Sequence, residues 1–427
     1  MVLFHSPYKS NRLSYVLDYV FIERLGINYE LSESVSNIVS PHKVCINYSD
    51  IRLENAWNFI PDGLLNTSEI GPLKQHYTPA NSENSNINEL DFDVFSAIFF
   101  HLSRYEEYLT KKRDEHGRFQ FSDSVLFKSN CLKFPLVDLW IAQLKDLLIT
   151  QYHFSIHDFK PESYHSVSTI DIDSVFAYKA KPLFRQMAAL SKDLLSGRFN
   201  EVRNRLSVVI GRNQDPNDNF DWQLSALGNK TAMYFIQSGP YGPYDKNISP
   251  LQNDFKKILQ KLIHAGHTIG LHPSYSSDSK SDAILREKNT LEKSTNTSVT
   301  SSRQHFLKMD LPKTYRALID CGIHHDYSMG YSHVPGFRAA TAHAFKWFDL
   351  IKDAETTLTV HPFCCMDVAY KQFMKLSVDE CITDSDMIIK QLKSLNAPFV
   401  FVFHNESLSG HRGWKNWDKV FKHWINE

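Results

Sequence analysis

The chain has 427 residues, of which 42% are hydrophobic and 22% charged, with 47 Lys and Arg against 48 Asp and Glu. That is ordinary globular composition, and the even charge gives no sign of a nucleic-acid or anionic-membrane partner. Six scattered cysteines with no CxxC pair argue against a thiolate zinc site and fit a reducing compartment. The N-terminus has no continuous apolar run and no stretch is long enough for a transmembrane segment, so a cytoplasmic protein is expected.

In chain order, Leu13, Val16, Leu17, Val20 and Phe21 follow helical spacing, with Gly26 as a stop. Residues 43–48 read as a strand, 91–109 as one apolar helix with a charged end, and 137–149 as a further helix. The Arg104–Glu107 cluster reads as a solvated helix end. Residues 81–88 and 211–221 are polar loops.

After about residue 160 strands and helices alternate. Strands are expected at 165–173, 231–237, 267–272, 356–361 and 398–405, with a short one running into Arg303. Helices are expected after the Ser249-Pro250 cap, at 282–294, from Pro312 to Gly322, and near 385–395. Such alternation predicts a parallel sheet or barrel, in which the strand C-termini carry the chemistry.

Several strands end in ligand-type residues. The first ends in Asp171-Ile172-Asp173. Residues two apart in a strand share a face, so both carboxylates meet at one mouth and repel unless a cation or proton separates them. The plainer reading is a pair of solvated turn aspartates. His272 and His404 end two other strands; imidazole suits a metal such as zinc or serves as a general acid, though a lone His is more often packed. His361 and Asp367 stand at a further strand end.

These motifs, in this order, resemble the polysaccharide deacetylase (NodB homology, carbohydrate esterase 4-like) family from about Tyr164 onward. Thr169-Ile170-Asp171-Ile172-Asp173 matches its T-x-D-x-D motif, which implies Asp171 as general base and Asp173 as metal ligand. His272-Pro273-Ser274-Tyr275-Ser276 matches H-[ST]-x-x-H only at its first His; Ser276 takes the place of a ligand. His305, two residues after Arg303, is the candidate replacement, and a structural His is the equal alternative. The resemblance implies Arg303 as the residue that aligns Asp171 and His404 as general acid. Asp326 and Arg338 stand near further motifs; together with Tyr275 and Trp414 they are the expected substrate-binding residues. The chain also looks like a bacterial subgroup with an uncharacterised N-terminal domain, on the stretches FDVFSAIFFHLSRYEEY, DEHGRF, TIDIDS, GLHPSY and SRQHF.

The resemblance implies an α/β fold: a distorted (β/α) barrel of NodB type over 161–427, preceded by a smaller α/β domain over 1–160. It implies a metal-dependent hydrolase, with zinc as the first choice of divalent metal, that deacetylates N- or O-acetylated sugars of a bacterial surface polysaccharide or its precursor. Carbohydrate is then the substrate, and polysaccharide-biosynthesis proteins are candidate partners. Three alternatives stay open. One is a catalytically impaired sugar-binding protein, which Ser276 favours. Another is a hydrolase of other esters or C–N bonds on the same scaffold. The third is a scaffold protein of a polysaccharide assembly system.

Overall fold

The computed structural model describes residues 1–34, 44–73, 92–152, 154 and 163–427. The polar loop expected at 81–88 and the domain boundary expected at 160 lie outside them. The architecture is mixed α/β with two sheets.

The first sheet has four parallel strands, β1 Val2–His5, β2 Tyr29–Ser32, β3 Val44–Tyr48 and β4 Trp57–Phe59, in the order β2-β1-β3-β4. Around it lie α1 Asn11–Leu17, α2 Val94–Leu102, α3 Tyr105–Leu109, α4 Val125–Lys128 and α5 Leu136–Thr150. The single helix expected over 91–109 is broken. Arg104 adopts a left-handed φ of 56° between α2 and α3. Its guanidinium is fully buried, paired with Glu106 at 2.8 Å and Glu107 at 2.9 Å. The cluster read as a solvated helix end is therefore interior. Glu107 also takes two bonds from Arg338, at 2.7 and 2.9 Å. Burial pushes its pKa up, but Arg338 and Arg104 outweigh that and hold it at about 2.

The second sheet has nine strands: β5 Ser166–Ile172, β6 Ala232–Gln237, β7 Thr268–His272, β8 Ser301–Ser302, β9 His325–Asp326, β10 Phe345–Asp349, β11 Ala354–Val360, β12 Cys365–Met366 and β13 Phe399–His404. The order is β10-β11-β9-β8-β7-β6-β5-β13-β12, parallel except for β10 against β11. The expected barrel does not close by hydrogen bonding among the described residues, because β10 and β12 remain the sheet's two ends. The antiparallel β10 is an edge that needs cover, and α1 and α2 supply it. Tyr15 donates to the Lys346 carbonyl at 2.7 Å, and Phe99 packs edge-on against Phe348 at 5.1 Å. One hydrophobic core therefore runs through both sheets.

Helices α6 Leu183–Leu195, α7 Phe199–Val209 and α8 Phe220–Leu227 fill the β5–β6 connection. Then come α9 Asn253–His264, α10 Ser281–Thr295, α11 Lys313–Asp320, α12 Val378–Ser394 and α13 Trp417–Asn426. The Ser249-Pro250 pair does not cap α9; Gln252 does, and Ser249 instead anchors a turn by accepting from Gln252 N–H.

Candidate active site

Parallel strands aim their C-terminal ends the same way, so the residues ending β5, β6, β7, β8, β12 and β13 meet at one mouth. Register fixes the neighbours: Asp171 on β5 stands opposite His404 on β13, and Gln237 on β6 opposite His272 on β7. A cleft of about 310 Å³ opens there, lined by Asp171, Asp173, His272, His305, His404 and Trp414.

Asp173, His272 and His305 each offer one ligand atom, all within 4.8 Å of one another. His272 Nε2 lies 3.1 Å from Asp173 Oδ1, and His305 Nε2 lies 3.5 Å from Asp173 Oδ2. Each imidazole uses its other nitrogen as a metal ligand's would. His272 Nδ1 meets the Arg303 carbonyl at 2.5 Å, and His305 Nδ1 meets Asp245 Oδ1 at 2.9 Å. Donation from Nδ1 leaves Nε2 to carry the lone pair toward Asp173. Asp173 Oδ1 is buried without a hydrogen bond, since the close His272 contact lacks the required geometry. A carboxylate oxygen orphaned among three ligand-type atoms is what a cation would satisfy, and an Asp/His/His set suits a borderline metal.

Without a cation, protons hold the cluster together. Burial opposes charge on Asp173 and on His305, but their partners prevail. His305 is raised to about 9 by Asp173 and Asp245, while His305 and His272 hold Asp173 well below the usual carboxylate range.

Ser276 is exposed; its hydroxyl meets Ser274 Oγ at 3.2 Å and its carbonyl accepts from Lys280 Nζ at 2.9 Å, neither of them at the cluster. His305 reaches the cluster because β8 pairs with β7 through Ser302 and Leu271, so the turn after β8 opens beside His272.

Asp171 belongs to a second set. Arg303 Nη1 donates to its Oδ1 at 2.8 Å, and Arg303 Nη2 donates to Thr169 at 2.8 Å. The fully buried guanidinium lies over the Phe235 ring at 4.5 Å. That ring occupies space a side chain at Gly270 would need, since a Cβ there would fall 2.6 Å from it. Asp171 Oδ2 faces the cleft, 3.9 Å from His404 Nε2. His404 is anchored from behind: Asp367 accepts from its Nδ1 and from its backbone N–H, both at 2.8 Å. Burial alone would lower the His404 pKa. Asp367, with Asp173 and Asp171 beyond it, reverses this and raises it to about 10.

Two of the expected substrate residues lie elsewhere. Asp326 is fully buried, accepting from Ser302 Oγ and from Ser328. Arg338 is buried against Glu107. Tyr275 stands at the rim, its ring tilted by 36° against that of Tyr244 at 4.3 Å and its hydroxyl bonded to His116 at 3.1 Å. His361 stacks on Tyr327, away from the cluster. Sequence reasoning missed Asp245 and Thr169, and held Asp367 only as a polar strand end. It also missed His116 and Arg118, which bring the first region of the chain into the cleft. Only Thr169 carried a local signal, as the first residue of T-x-D-x-D.

Residues 2–153 match a family of unknown function (DUF7033). No curated protein matches the chain. Among solved structures the chain is similar to Puue allantoinase, at 10% identity over 63% of this chain and 87% of that one, TM-score 0.41. It is similar to a polysaccharide deacetylase from Bacillus cereus at 11% identity, over 61% of this chain and 85% of that one, TM-score 0.28. A CE4 family pseudoenzyme from Bacillus anthracis is similar at 10% identity, over 62% of each chain, TM-score 0.31.

Proposed function

We propose that the chain is a metal-dependent hydrolase that removes acetyl groups from N- or O-acetylated sugars of a bacterial surface polysaccharide or its precursor. In this reading residues 161–427 are a NodB-type domain whose nine-stranded sheet is a barrel left open between β10 and β12, and residues 1–160 are a smaller α/β domain of unassigned role that shares its core. The observation that carries it is the convergence on one cleft of a three-ligand cluster, a braced carboxylate and a braced imidazole.

Asp173, His272 and His305 would hold a divalent cation, zinc by the chemistry of the donors. When bound, such an ion supplies positive charge that polarises an acetyl carbonyl and makes water more acidic. Arg303, itself held by Thr169, fixes Asp171 Oδ1 and leaves Oδ2 toward the cleft, where it would take the proton of the attacking water. His404 carries its proton on Nε2, held there by Asp367 at the opposite nitrogen, and would deliver it to the departing amine or alcohol. After delivery His404 keeps the Nδ1 proton and its bond to Asp367, so the ring does not reorient. Trp414 and Tyr275 would contact the sugar at the cleft wall and rim. The six free thiols support a cytoplasmic location.

The test is bound metal by elemental analysis on wild type, Asp173→Ala and His272→Ala, followed by acetate release from N- and O-acetylated sugars. One metal per chain in wild type, lost in both variants, with metal-dependent acetate release, is expected. No metal uptake after zinc or cobalt addition would overturn the reading and leave a sugar-binding protein.

A further inference from the structure

Helices α6 and α7 invert the usual arrangement of a surface hairpin. On α6 the apolar residues Leu183, Phe184, Met187, Leu194 and Leu195 fall on one stripe; on α7 Phe199, Leu206 and Val209 do the same. Both stripes face solvent. Leu195 is 90% exposed, Leu183 83% and Phe184 70%. Nine large hydrophobics between 183 and 210 are exposed, a density unmatched elsewhere among the described residues. Apart from Val208, what the hairpin buries is polar: Asp193 accepts from Arg205 at 3.0 Å and from Arg198 at 2.7 Å, tying the two helices together.

The charge is equally lopsided. Residues 179–212 carry eight Lys or Arg against two acids, Asp193 and Glu201, in a chain of net charge −1. Lys192, Arg203 and Arg212 are exposed beside the apolar stripes. Apolar side chains flanked by cations match an anionic lipid surface, where the former enter the acyl boundary and the latter meet headgroup phosphates. A soluble protein partner would be served by the apolar stripe alone. The helices have 13 and 11 residues, and no helix among the described residues is long and apolar enough to cross a membrane. They therefore suit lying in the interface.

The hairpin also adjoins the cleft. A cavity of about 370 Å³ has Lys181, Arg185 and Arg205 on its hairpin side, and Glu406 and Trp414 line both this cavity and the catalytic cleft.

We infer that the α6–α7 hairpin docks the protein on an anionic lipid bilayer and presents the cleft to saccharides anchored at that surface. The docking stands on the hairpin alone; only the substrate class rests on the deacetylase reading.

The test is co-sedimentation of the full chain with phosphatidylcholine vesicles, with and without a share of phosphatidylglycerol. Wild type is expected to pellet with the anionic vesicles and to be released by salt. The triple variant Leu183→Ser, Phe184→Ser, Leu195→Ser is expected to lose roughly tenfold or more in partitioning, and Lys192→Gln or Arg203→Gln roughly fivefold each. These side chains are exposed, so far-UV circular dichroism and the thermal midpoint should not change. Phe184→Trp adds a direct reading, with emission shifting to the blue on anionic vesicles. Asp171→Asn should bind vesicles as wild type does, which separates docking from catalysis. Wild type remaining in the supernatant, or the triple variant pelleting equally, would overturn the inference. So would self-association in solution that the triple variant abolishes, since a second copy would then cover the face. An enzyme that releases acetate but ignores vesicles would sink this inference alone.

Discussion

Asp245 touches no atom of the proposed reaction, so its replacement tests the metal site most cleanly. Its Oδ1 accepts from His305 Nδ1 at 2.9 Å, from Gln237 at 2.5 Å and from the Tyr275 backbone at 2.9 Å. Asp245→Asn keeps the shape and an acceptor but removes the charge that makes His305 a more basic ligand. Outer partners of this kind typically contribute about tenfold to hundredfold in metal affinity, or about 1.4–2.7 kcal/mol. A second effect opposes this one. In the metal-free protein His305 holds its proton to about pH 9, so at pH 7 an ion must first displace it, a competition of about a hundredfold. Asp245→Asn weakens the grip on that proton and so relieves part of the competition. Wild-type zinc affinity, read by competition with a chromogenic chelator, should therefore climb from pH 7 to about pH 9. The variant's deficit should be small at pH 7 and approach tenfold or more near pH 9. Equal affinity at both pH values, or tighter binding by the variant at pH 9, would refute the assignment of His305 as a ligand.

Further outcomes follow from the other contacts. Asp171→Asn should cut turnover by about 10²–10⁴-fold while bound metal, read by elemental analysis, stays at the wild-type level. Asp367→Asn removes the carboxylate that raises His404 to about 10, so the basic limb of the pH–rate profile should move to lower pH, with retained metal content. Glu107→Gln leaves the buried Arg338 without its carboxylate and Arg104 with Glu106 alone, and should destabilise the chain by about 3–5 kcal/mol in urea unfolding. Glu107 also makes wild-type stability pH-dependent. Its folded pKa of about 2 lies below the ordinary 4.5, so its contribution of about 3 kcal/mol is complete above about pH 4.5 and is lost as pH falls toward 2.

The strand-end chemistry and the alternation of strands and helices after residue 160 were legible in the sequence alone, whereas the break at Arg104 and helices α6 and α7 were not. A strand's side chains alternate in register with its sequence, so the run into Asp171-Ile172-Asp173 and the apolar run into His404 were legible without any partner. Helices α5, α10 and α12 were legible in the same way, from apolar residues at helical spacing. The tertiary structure decided which residues meet. His305 joins His272 because β8 lies beside β7. Asp245, Asp367 and Arg303 reach their partners across 60, 37 and 132 residues of chain, distances over which no local pattern survives. Arg104 and Glu107 looked like solvent-facing charge, and Arg338 like a substrate-binding residue, because charge alone marks a surface or a site; only packing shows three charges satisfying one another inside a core. The α6–α7 hairpin makes the reverse point: its residues are apolar, yet the folded chain leaves them facing solvent.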